Sequence, residues 1–189
     1  MRIIAGDWRG RKLVAPAGDT TRPTADRTRE TLFSMLVSRL GSFEGLSVGD
    51  MFAGSGALGF EALSRGAASA LFVENDARAV DTIRANIRTL DAGTRATVRA
   101  GSVLALGPAR APLDLVLLDP PYRTGAGAVA LEKMIRLGWI SPATWISLET
   151  AFDEPVTVRG LTIDTDRKVG KARLTLLRLG GEPDAPPAA

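Results

Sequence analysis

A short apolar run that ends in two prolines is the feature that most constrains the fold of this chain. Residues 113–118 read Leu-Asp-Leu-Val-Leu-Leu, and Asp119-Pro120-Pro121-Tyr122 follows directly. A nearly continuous apolar run of this length is typical of a strand in a parallel sheet that is covered on both faces. Proline has no N–H for a sheet ladder and fixes φ, so the strand must end there. We therefore predict an α/β fold with a rigid turn at the carboxyl end of this strand.

The groups that follow the strand suit chemistry on a planar amino group. In open α/β sheets, ligands bind at the carboxyl ends of the strands. The exocyclic amine of a nucleobase is a weak nucleophile because its lone pair is delocalised into the ring. The Asp119 carboxylate and the Pro120 carbonyl can accept its two hydrogens, and the Tyr122 ring can stack on the base. We predict Asp119, Pro120 and Tyr122 as catalytic residues; the alternative is a turn with a purely structural role.

Two residue types are missing, and their absence excludes several kinds of chemistry. The chain of 189 residues contains neither cysteine nor histidine. Disulfides and thiolate nucleophiles are excluded, and so are the commonest general base and metal ligand, so we predict no metal site. No apolar run approaches the ~18 residues of a membrane span, and the first residues do not resemble a signal peptide. We expect a cytoplasmic protein with one main domain, and a monomer.

Basic residues concentrate in two segments. Residues 1–29 contain seven Lys or Arg against three Asp, and the remaining residues carry a net charge of −1, because the whole chain has 24 basic and 21 acidic residues. A second basic cluster lies within residues 167–178, which contain no acid. Two basic segments on a nearly neutral body indicate a phosphate-binding surface, although a solvated surface without a ligand is the alternative for either.

One aromatic residue lies among the cations of the first segment. Trp8 is placed near a predicted loop tip, where it suits base stacking beside phosphate contacts; the alternative is that it packs on the protein body. The candidate nucleic-acid-binding residues are Arg2, Trp8, Arg9, Arg11, Lys12, Arg22, Arg27, Lys168 and Lys171.

A glycine-rich stretch predicts a nucleotide-binding turn. Residues 50–59 read Asp-Met-Phe-Ala-Gly-Ser-Gly-Ala-Leu-Gly, between a predicted strand and a predicted helix. Glycine lets the backbone approach a ligand closely. Glu74 ends the next strand 20 residues after Gly54, the spacing expected for an acid that accepts hydrogen bonds from ribose hydroxyls. The predicted cofactor-binding residues are Asp50, Phe52, Gly54, Gly56, Glu74, Asn75, Ser102 and Asp119.

The rest of the pattern predicts the order of the elements. Strands are expected at 47–52, 71–74, 97–100, 113–118 and 144–148, with helices between them, and 161–163 and 174–177 are expected to form a final antiparallel pair. Arg2–Val14 is expected to form a β-hairpin. We predict a basic hairpin and linker at 1–21, a main domain at 22–179 and a disordered tail at 180–189.

These motifs together resemble the class I S-adenosylmethionine-dependent methyltransferases. The N-terminal Arg-Ile-Ile-Ala-Gly-x-Trp-Arg-Gly-Arg-Lys-Leu and the Arg22-Pro23-Thr24 stretch make the chain similar, more narrowly, to the bacterial guanine-N2 methyltransferases of 16S ribosomal RNA. The resemblance implies a Rossmann-like sheet of seven strands in the order 3-2-1-4-5-7-6, with the last strand antiparallel and helices on both faces. It also implies S-adenosylmethionine as methyl donor and a guanine of the small subunit's 16S RNA as target.

One position departs from the family pattern. Methyltransferases of this type usually carry an acid after the third strand, where it contacts the adenine amino group, and here Gly101-Ser102 stands instead. A serine hydroxyl accepts a hydrogen bond less strongly than a carboxylate, so the resemblance assigns Ser102, with Asn75, only to the neighbourhood of the adenine.

Three other functions share part of this pattern. A nicotinamide dehydrogenase uses a similar glycine-rich turn but gives no role to Asp119-Pro120-Pro121-Tyr122. A methyltransferase acting on DNA adenine, DNA cytosine or protein glutamine shares the amino-group chemistry, although those enzymes more often carry Asn before Pro-Pro-Tyr. A protein that only binds the ribosome as an assembly factor has no need of an intact Asp119 motif.

Overall fold

The computed structural model describes residues 1–15 and 23–180. Residues 16–21 of the predicted hairpin and linker, Arg22 and residues 181–189 of the predicted tail lie outside the described residues. The strands are β1 Ser47–Met51, β2 Ser69–Glu74, β3 Ala96–Ala100, β4 Leu115–Leu118, β5 Trp145–Ala151, β6 Leu161–Val169 and β7 Ala172–Leu179. The α-helices are α1 Pro23–Leu40, α2 Ala57–Ser64, α3 Ala77–Leu90 and α4 Ala126–Arg136.

All seven strands form one sheet in the order β3-β2-β1-β4-β5-β7-β6. The strands from β3 to β5 are parallel, and β7 runs antiparallel to both β5 and β6. The predicted strand order, including the helix-free final pair, is therefore confirmed. The final pair is longer than predicted, with a register irregularity between Ile163 and Thr165. The alternating pattern is weak there because β6 is mostly exposed.

Helices cover both faces of the sheet, as predicted. Successive residues of β4 point to opposite faces. Leu115 and Leu117 pack with residues of α1, α2 and α3, whereas Val116 and Leu118 pack with residues of α4. All four side chains are buried, which explains why the run is continuously apolar. Asp76 caps the N-terminus of α3, because its side chain accepts a hydrogen bond from the Ala79 N–H at 2.9 Å. Within residues 1–15 and 23–180, no helix has the length and apolarity that a membrane crossing needs.

The N-terminal segment is more compact than the predicted hairpin. One antiparallel bridge joins Arg2 to Lys12, and residues 5–10 form turns. Ile3, Trp8 and Leu13 belong to the buried core. The prediction that Trp8 is exposed for base stacking is therefore wrong: the residue is 7% exposed, and the Arg95 guanidinium lies over its ring, 4.8 Å from the centroid.

Helix α2 holds the N-terminal segment in place. The buried Glu61 carboxylate accepts hydrogen bonds from the N–H groups of Ile4 at 2.8 Å and Ala5 at 3.0 Å. Ser64 accepts from the Trp8 N–H at 2.9 Å and donates to the Ala5 carbonyl at 2.6 Å. These contacts join the N-terminal segment to the helix that follows the glycine-rich turn.

Candidate active site

Three carboxylates lie at the same level near the carboxyl ends of three parallel strands. Met51 of β1 pairs with Val73 of β2 and Leu118 of β4, and Leu118 pairs with Leu148 of β5. The residue after Val73 is Glu74, the residue after Leu118 is Asp119, and the residue after Leu148 is Glu149. Because residues at equal register in parallel strands share one level of the sheet, these three acids occupy a row along its carboxyl edge. We call Glu74, Asp119 and Glu149 the acidic row.

The glycine-rich turn lies against the first member of this row. Gly54 donates its N–H to Glu74 Oε2 at 2.7 Å. Gly54 has φ 55°, and an added Cβ there would meet no atom within 4 Å, so the turn has open space above it. Gly56 precedes α2 with φ 79°, and its added Cβ would lie 2.6 Å from the Phe60 ring. Gly54 thus leaves room for a ligand, whereas Gly56 permits close packing.

The Glu74 carboxylate is fixed by the backbone around it. It is buried, and besides Gly54 it accepts hydrogen bonds at 2.8 Å from the N–H groups of both Asn75 and Asp76. A carboxylate offers about four lone-pair sites, so Glu74 retains acceptor capacity for a ligand hydroxyl. Its predicted contact with ribose stays a prediction.

Asp50 lies beneath the turn and not at the exposed edge. Its side chain is 1% exposed and accepts a hydrogen bond from the Gly59 N–H at 2.8 Å. Burial raises the pKa of Asp50 well above its ordinary value, the Gly59 hydrogen bond opposes this, and the charges of Asp119 and Glu74 add to it. The structure thus gives Asp50 the role of holding α2 against β1, while its predicted cofactor contact stays a prediction.

The Asp119-Pro120-Pro121-Tyr122 turn presents one acid and one ring to solvent. Asp119 is exposed and Pro120 is buried. Tyr122 is 39% exposed, and its hydroxyl donates to Glu149 Oε1 at 2.5 Å. Burial, followed by the hydrogen bond and charge of Glu149, raises the pKa of Tyr122, so the phenol remains a hydrogen-bond donor. This bond fixes the orientation of the ring beside Asp119.

Sequence reasoning did not identify Glu149. Burial raises the pKa of this carboxyl, and the hydrogen bond from Tyr122 lowers it. The available signal was an acid directly after the apolar run Trp145-Ile146-Ser147-Leu148, which is the pattern that led to Glu74.

The remaining predicted cofactor residues lie at the same edge of the sheet. Phe52 follows β1 with φ 64°, an uncommon backbone conformation for an aromatic residue. Asn75 and Ser102 are exposed. The Ser102 hydroxyl accepts a hydrogen bond from the Leu104 N–H at 3.1 Å, and Gly101 beside it donates to the Glu74 carbonyl at 2.7 Å. Ser102 thus follows a residue that is bonded to the backbone of Glu74, and its predicted adenine contact stays a prediction.

The acids of this edge favour a positively charged organic ligand. The charges of Asp119 and Glu74 both act on Asp50, and those of Glu149, Asp119 and Glu154 all act on Tyr122. A concentration of negative charge attracts a cation. Within the described ranges, no group of three or more acidic side chains is arranged to hold a metal ion.

The two basic segments meet at a second concave surface. Arg27 and Thr31 of α1 line it together with Arg167, Lys168, Val169 and Gly170 of the β6–β7 hairpin. We call this surface the basic groove. Arg2, Arg9, Lys12 and Lys171 are exposed elsewhere. Arg11 has a structural partner, since its guanidinium donates to the carbonyls of Thr89 and Leu90 at the end of α3.

The strand order and the acidic row define a Rossmann-like fold of the methyltransferase type. The family model described as Conserved hypothetical protein 95 matches residues 1–178. Ribosomal RNA small subunit methyltransferase D of Escherichia coli K12 is 37% identical, with 98% of this chain and 94% of that protein covered. The protein of the same name from Haemophilus influenzae is 38% identical, with coverage of 90% and 89%.

Solved structures agree with the sequence relatives. The structure of the candidate methyltransferase yhhF from Escherichia coli matches with a TM-score of 0.83 and 36% identity, over 95% of this chain and 97% of that one. The chain belongs to the Conserved hypothetical protein 95 family, together with these small-subunit ribosomal RNA methyltransferases. The family resemblance seen in the sequence is thereby confirmed.

Proposed function

We propose that this protein transfers a methyl group from S-adenosylmethionine to the exocyclic N2 amine of a guanine in 16S ribosomal RNA. The observation that carries the proposal is the exposed Asp119 at the end of β4, beside a Tyr122 ring fixed by Glu149. The relatives named as small-subunit ribosomal RNA methyltransferases support the RNA substrate. On this proposal the protein works in the cytoplasm, as a monomer, on the small subunit or an assembly intermediate.

The residues at the sheet edge fit the proposed methyl donor. S-adenosylmethionine supplies an electrophilic methyl group on a positively charged sulfur. The open space at Gly54 accommodates a ligand against the backbone, and the acids around it suit a cation. Glu74 accepts from the ribose hydroxyls, while Asn75 and Ser102 border the adenine. Phe52, Gly56 and Asp50 shape the turn, and Asp119 faces both the donor and the base.

Asp119 and its neighbours hold the nucleophile. A base inside RNA must leave its stack to reach this edge. The Asp119 carboxylate and the Pro120 carbonyl accept the two N2 hydrogens, which favours a pyramidal amine with an available lone pair. Tyr122 stacks on the ring. The amine becomes strongly acidic after transfer, so Asp119 or water takes its proton, and most of the rate enhancement comes from positioning.

The basic groove and the exposed N-terminal cations provide the RNA contacts. Arg27, Arg167 and Lys168 place guanidinium and ammonium groups around one concavity, which suits a bent phosphate backbone. Arg2, Arg9, Lys12 and Lys171 extend the positive surface, whereas the buried Trp8 supports the N-terminal segment from inside.

The test is methyl transfer by variants of Asp119. Labelled S-adenosylmethionine is offered with small subunits, naked 16S RNA, DNA and a glutamine peptide, which separates the RNA function from the alternatives. Asp119→Ala should lower the single-turnover rate by about 10²–10³, the scale for one preorganised polar contact in a transition state. Asp119→Asn keeps an acceptor oxygen without charge and separates hydrogen bonding from electrostatics.

A matched control is Asp81→Asn, because the Asp81 side chain is 76% exposed on α3. It should leave the rate unchanged. A well-folded Asp119→Ala protein with a normal rate on small subunits would refute the proposed catalytic role.

A further inference from the structure

The two exposed aromatic residues of this protein lie on neighbouring turns at the carboxyl edge of the sheet. The chain has six Phe, three Trp and one Tyr, and the structure describes all of them. Tyr122 is 39% exposed and Phe152 is 40% exposed, whereas every other aromatic residue is buried or half-buried. Tyr122 has a role in the proposed function, but Phe152, the first residue after β5, has none. A single exposed apolar residue is ordinary on a protein surface, so the surroundings of Phe152 decide whether it contacts a ligand.

Hydrogen bonds join the turn of Phe152 to the turn that carries Tyr122. Arg123, the residue after Tyr122, donates from its guanidinium to the Asp153 carboxylate at 2.8 Å. Its backbone N–H donates to the Glu154 carboxylate at 2.9 Å. Asp153 and Glu154 directly follow Phe152 in the chain. These two bonds therefore hold the Phe152 turn against the turn that contains the proposed catalytic groups.

Phe152 also contacts the basic groove. The Lys168 ammonium lies over the Phe152 ring, 3.9 Å from its centroid, and Lys168 is one of the residues that line the groove. The Phe152 N–H donates to the Lys171 carbonyl at 2.9 Å, which attaches this turn to the β6–β7 hairpin. The pKa of Asp153 is lowered, first by the hydrogen bond from Arg123 and in part by the charge of Lys168, so both cations act on one carboxylate. Phe152 thus lies between the basic groove and the turn that contains the proposed catalytic groups.

An exposed aromatic ring with cations beside it favours a single-stranded nucleic acid. Every nucleobase has a π-face that can stack on an aromatic side chain, and basic groups next to the ring bind the backbone. Lys168 lies over the Phe152 ring, but the exposed fraction of the residue leaves apolar surface for a flat ligand. The Arg123 side chain is 65% exposed and pairs with Asp153 through Nη2. Among the described residues its other guanidinium nitrogens have no partner, so they can donate to a phosphate.

Building on the proposed function, we infer that Phe152 stacks on the base of the nucleotide next to the target guanine. The guanine leaves its stack to reach Asp119, and the base beside it thereby loses a stacking partner. Phe152 replaces that partner, while Lys168 and Arg123 contact the phosphates on either side of the stacked base. The RNA strand then runs from the basic groove across Phe152 to the turn that contains the proposed catalytic groups. Phe152 is thus a residue that binds the substrate and has no part in cofactor binding.

The test measures the binding of small ribosomal subunits by Phe152→Ala. Removing an aromatic ring that stacks on a base weakens binding by roughly 5- to 150-fold, so the dissociation constant should rise by a factor in that range. The melting temperature and the affinity for S-adenosylmethionine should stay as in the wild type, because the ring is exposed and contacts no proposed cofactor residue. Phe152→Trp should bind subunits much as the wild type does, since it keeps an aromatic plane. The matched control is Val37→Ala, which removes an equally exposed apolar side chain from α1 and should leave binding unchanged.

Abasic nucleotides separate stacking from any other effect of the ring. Labelled methyl transfer by the wild-type protein first locates the modified guanine, and subunits are then reconstituted with an abasic nucleotide on its 5′ or its 3′ side. At one of these two positions, the missing base should weaken wild-type binding about as much as Phe152→Ala weakens binding to unmodified subunits. Phe152→Ala should bind those abasic subunits with no further loss, because no base remains to stack on the ring.

Two results would overturn the inference and leave the proposed function intact. One is a folded Phe152→Ala protein that binds unmodified subunits as tightly as the wild type does. The other is a loss of affinity in Phe152→Ala that is undiminished with an abasic nucleotide on either side of the guanine, which would mean that the ring only positions Lys168. Absence of methyl transfer to subunits by the wild-type protein would refute the proposed function and this inference together, and it is seen without any variant.

Discussion

The attachment of the N-terminal segment to α2 should depend on Glu61. Its carboxylate is completely buried and accepts hydrogen bonds from Ile4 and Ala5 as well as the Arg65 side chain at 2.9 Å. Arg29, which is 5% exposed, lies 3.9 Å away. Glu61→Ala would remove all these acceptors together, so Arg65 would lose its paired carboxylate and Arg29 would retain its pairing with Asp26 at 3.0 Å but lose the buried one.

The expected destabilisation is large for a single substitution. Breaking a buried ion pair by removing one partner costs about 3–5 kcal/mol, which for a chain of this size lowers the melting temperature by roughly 6–20 °C. Glu61→Gln should lower the free energy of unfolding by a similar amount. The single amide oxygen cannot accept from both backbone N–H groups, and the amide NH2 faces one of them as a second donor. We expect residues 3–8 to lose their protection from hydrogen exchange first.

Urea unfolding gives the free energy, and hydrogen exchange of the N-terminal peptide gives the local effect. The matched control is Glu132→Gln, the same change at an exposed position of α4, which should alter stability by no more than about 0.5 kcal/mol. If Glu61→Gln is as stable as the control and its N-terminal amides stay protected, the carboxylate does not anchor this segment.

Three further changes probe the two ligand surfaces and the turn. Glu74→Ala should weaken S-adenosylmethionine binding in calorimetric titration, since up to two charge-assisted hydrogen bonds of about 1.5–3 kcal/mol each are lost, and unchanged affinity would remove Glu74 from the site. Arg27→Ala with Lys168→Ala should weaken RNA binding, with a smaller dependence of affinity on salt than the wild type; Arg84→Ala, on α3, is the control. Folded wild-type protein holds the Asp50 proton more tightly than the unfolded chain, so the wild type should lose stability as pH rises from the ordinary pKa of 3.8 towards the raised folded value. Asp50→Asn has no such proton and should therefore become more stable relative to the wild type over that pH range. Parallel pH profiles of the two proteins in urea unfolding would contradict this.

The strands could be predicted from the sequence because each parallel strand leaves its own local signal, whereas their order in the sheet was implied by the family resemblance. Residues 115–118 are buried on both faces, so the run carries no polar residue, and Pro120 marks where it ends. Glu74 follows from a similar local rule, its spacing from Gly54. The structure of the N-terminal segment was not predictable in this way. The burial of Trp8 depends on Ser64 and Arg95, which lie far away in the sequence.

The acidic row shows why part of the site escaped sequence reasoning. Glu74 was identified by its distance from Gly54, and Asp119 by the prolines after it, but Glu149 has no such neighbour in the chain. What singles it out is register: Leu148 pairs with Leu118, so the next residue of β5 lies level with Asp119. Once the strand order is known, the residues one position beyond the paired ends can be read directly from the sequence. The same rule applied to β1 gives Phe52, so these positions form one line along the carboxyl edge of the sheet from β2 through β1 and β4 to β5.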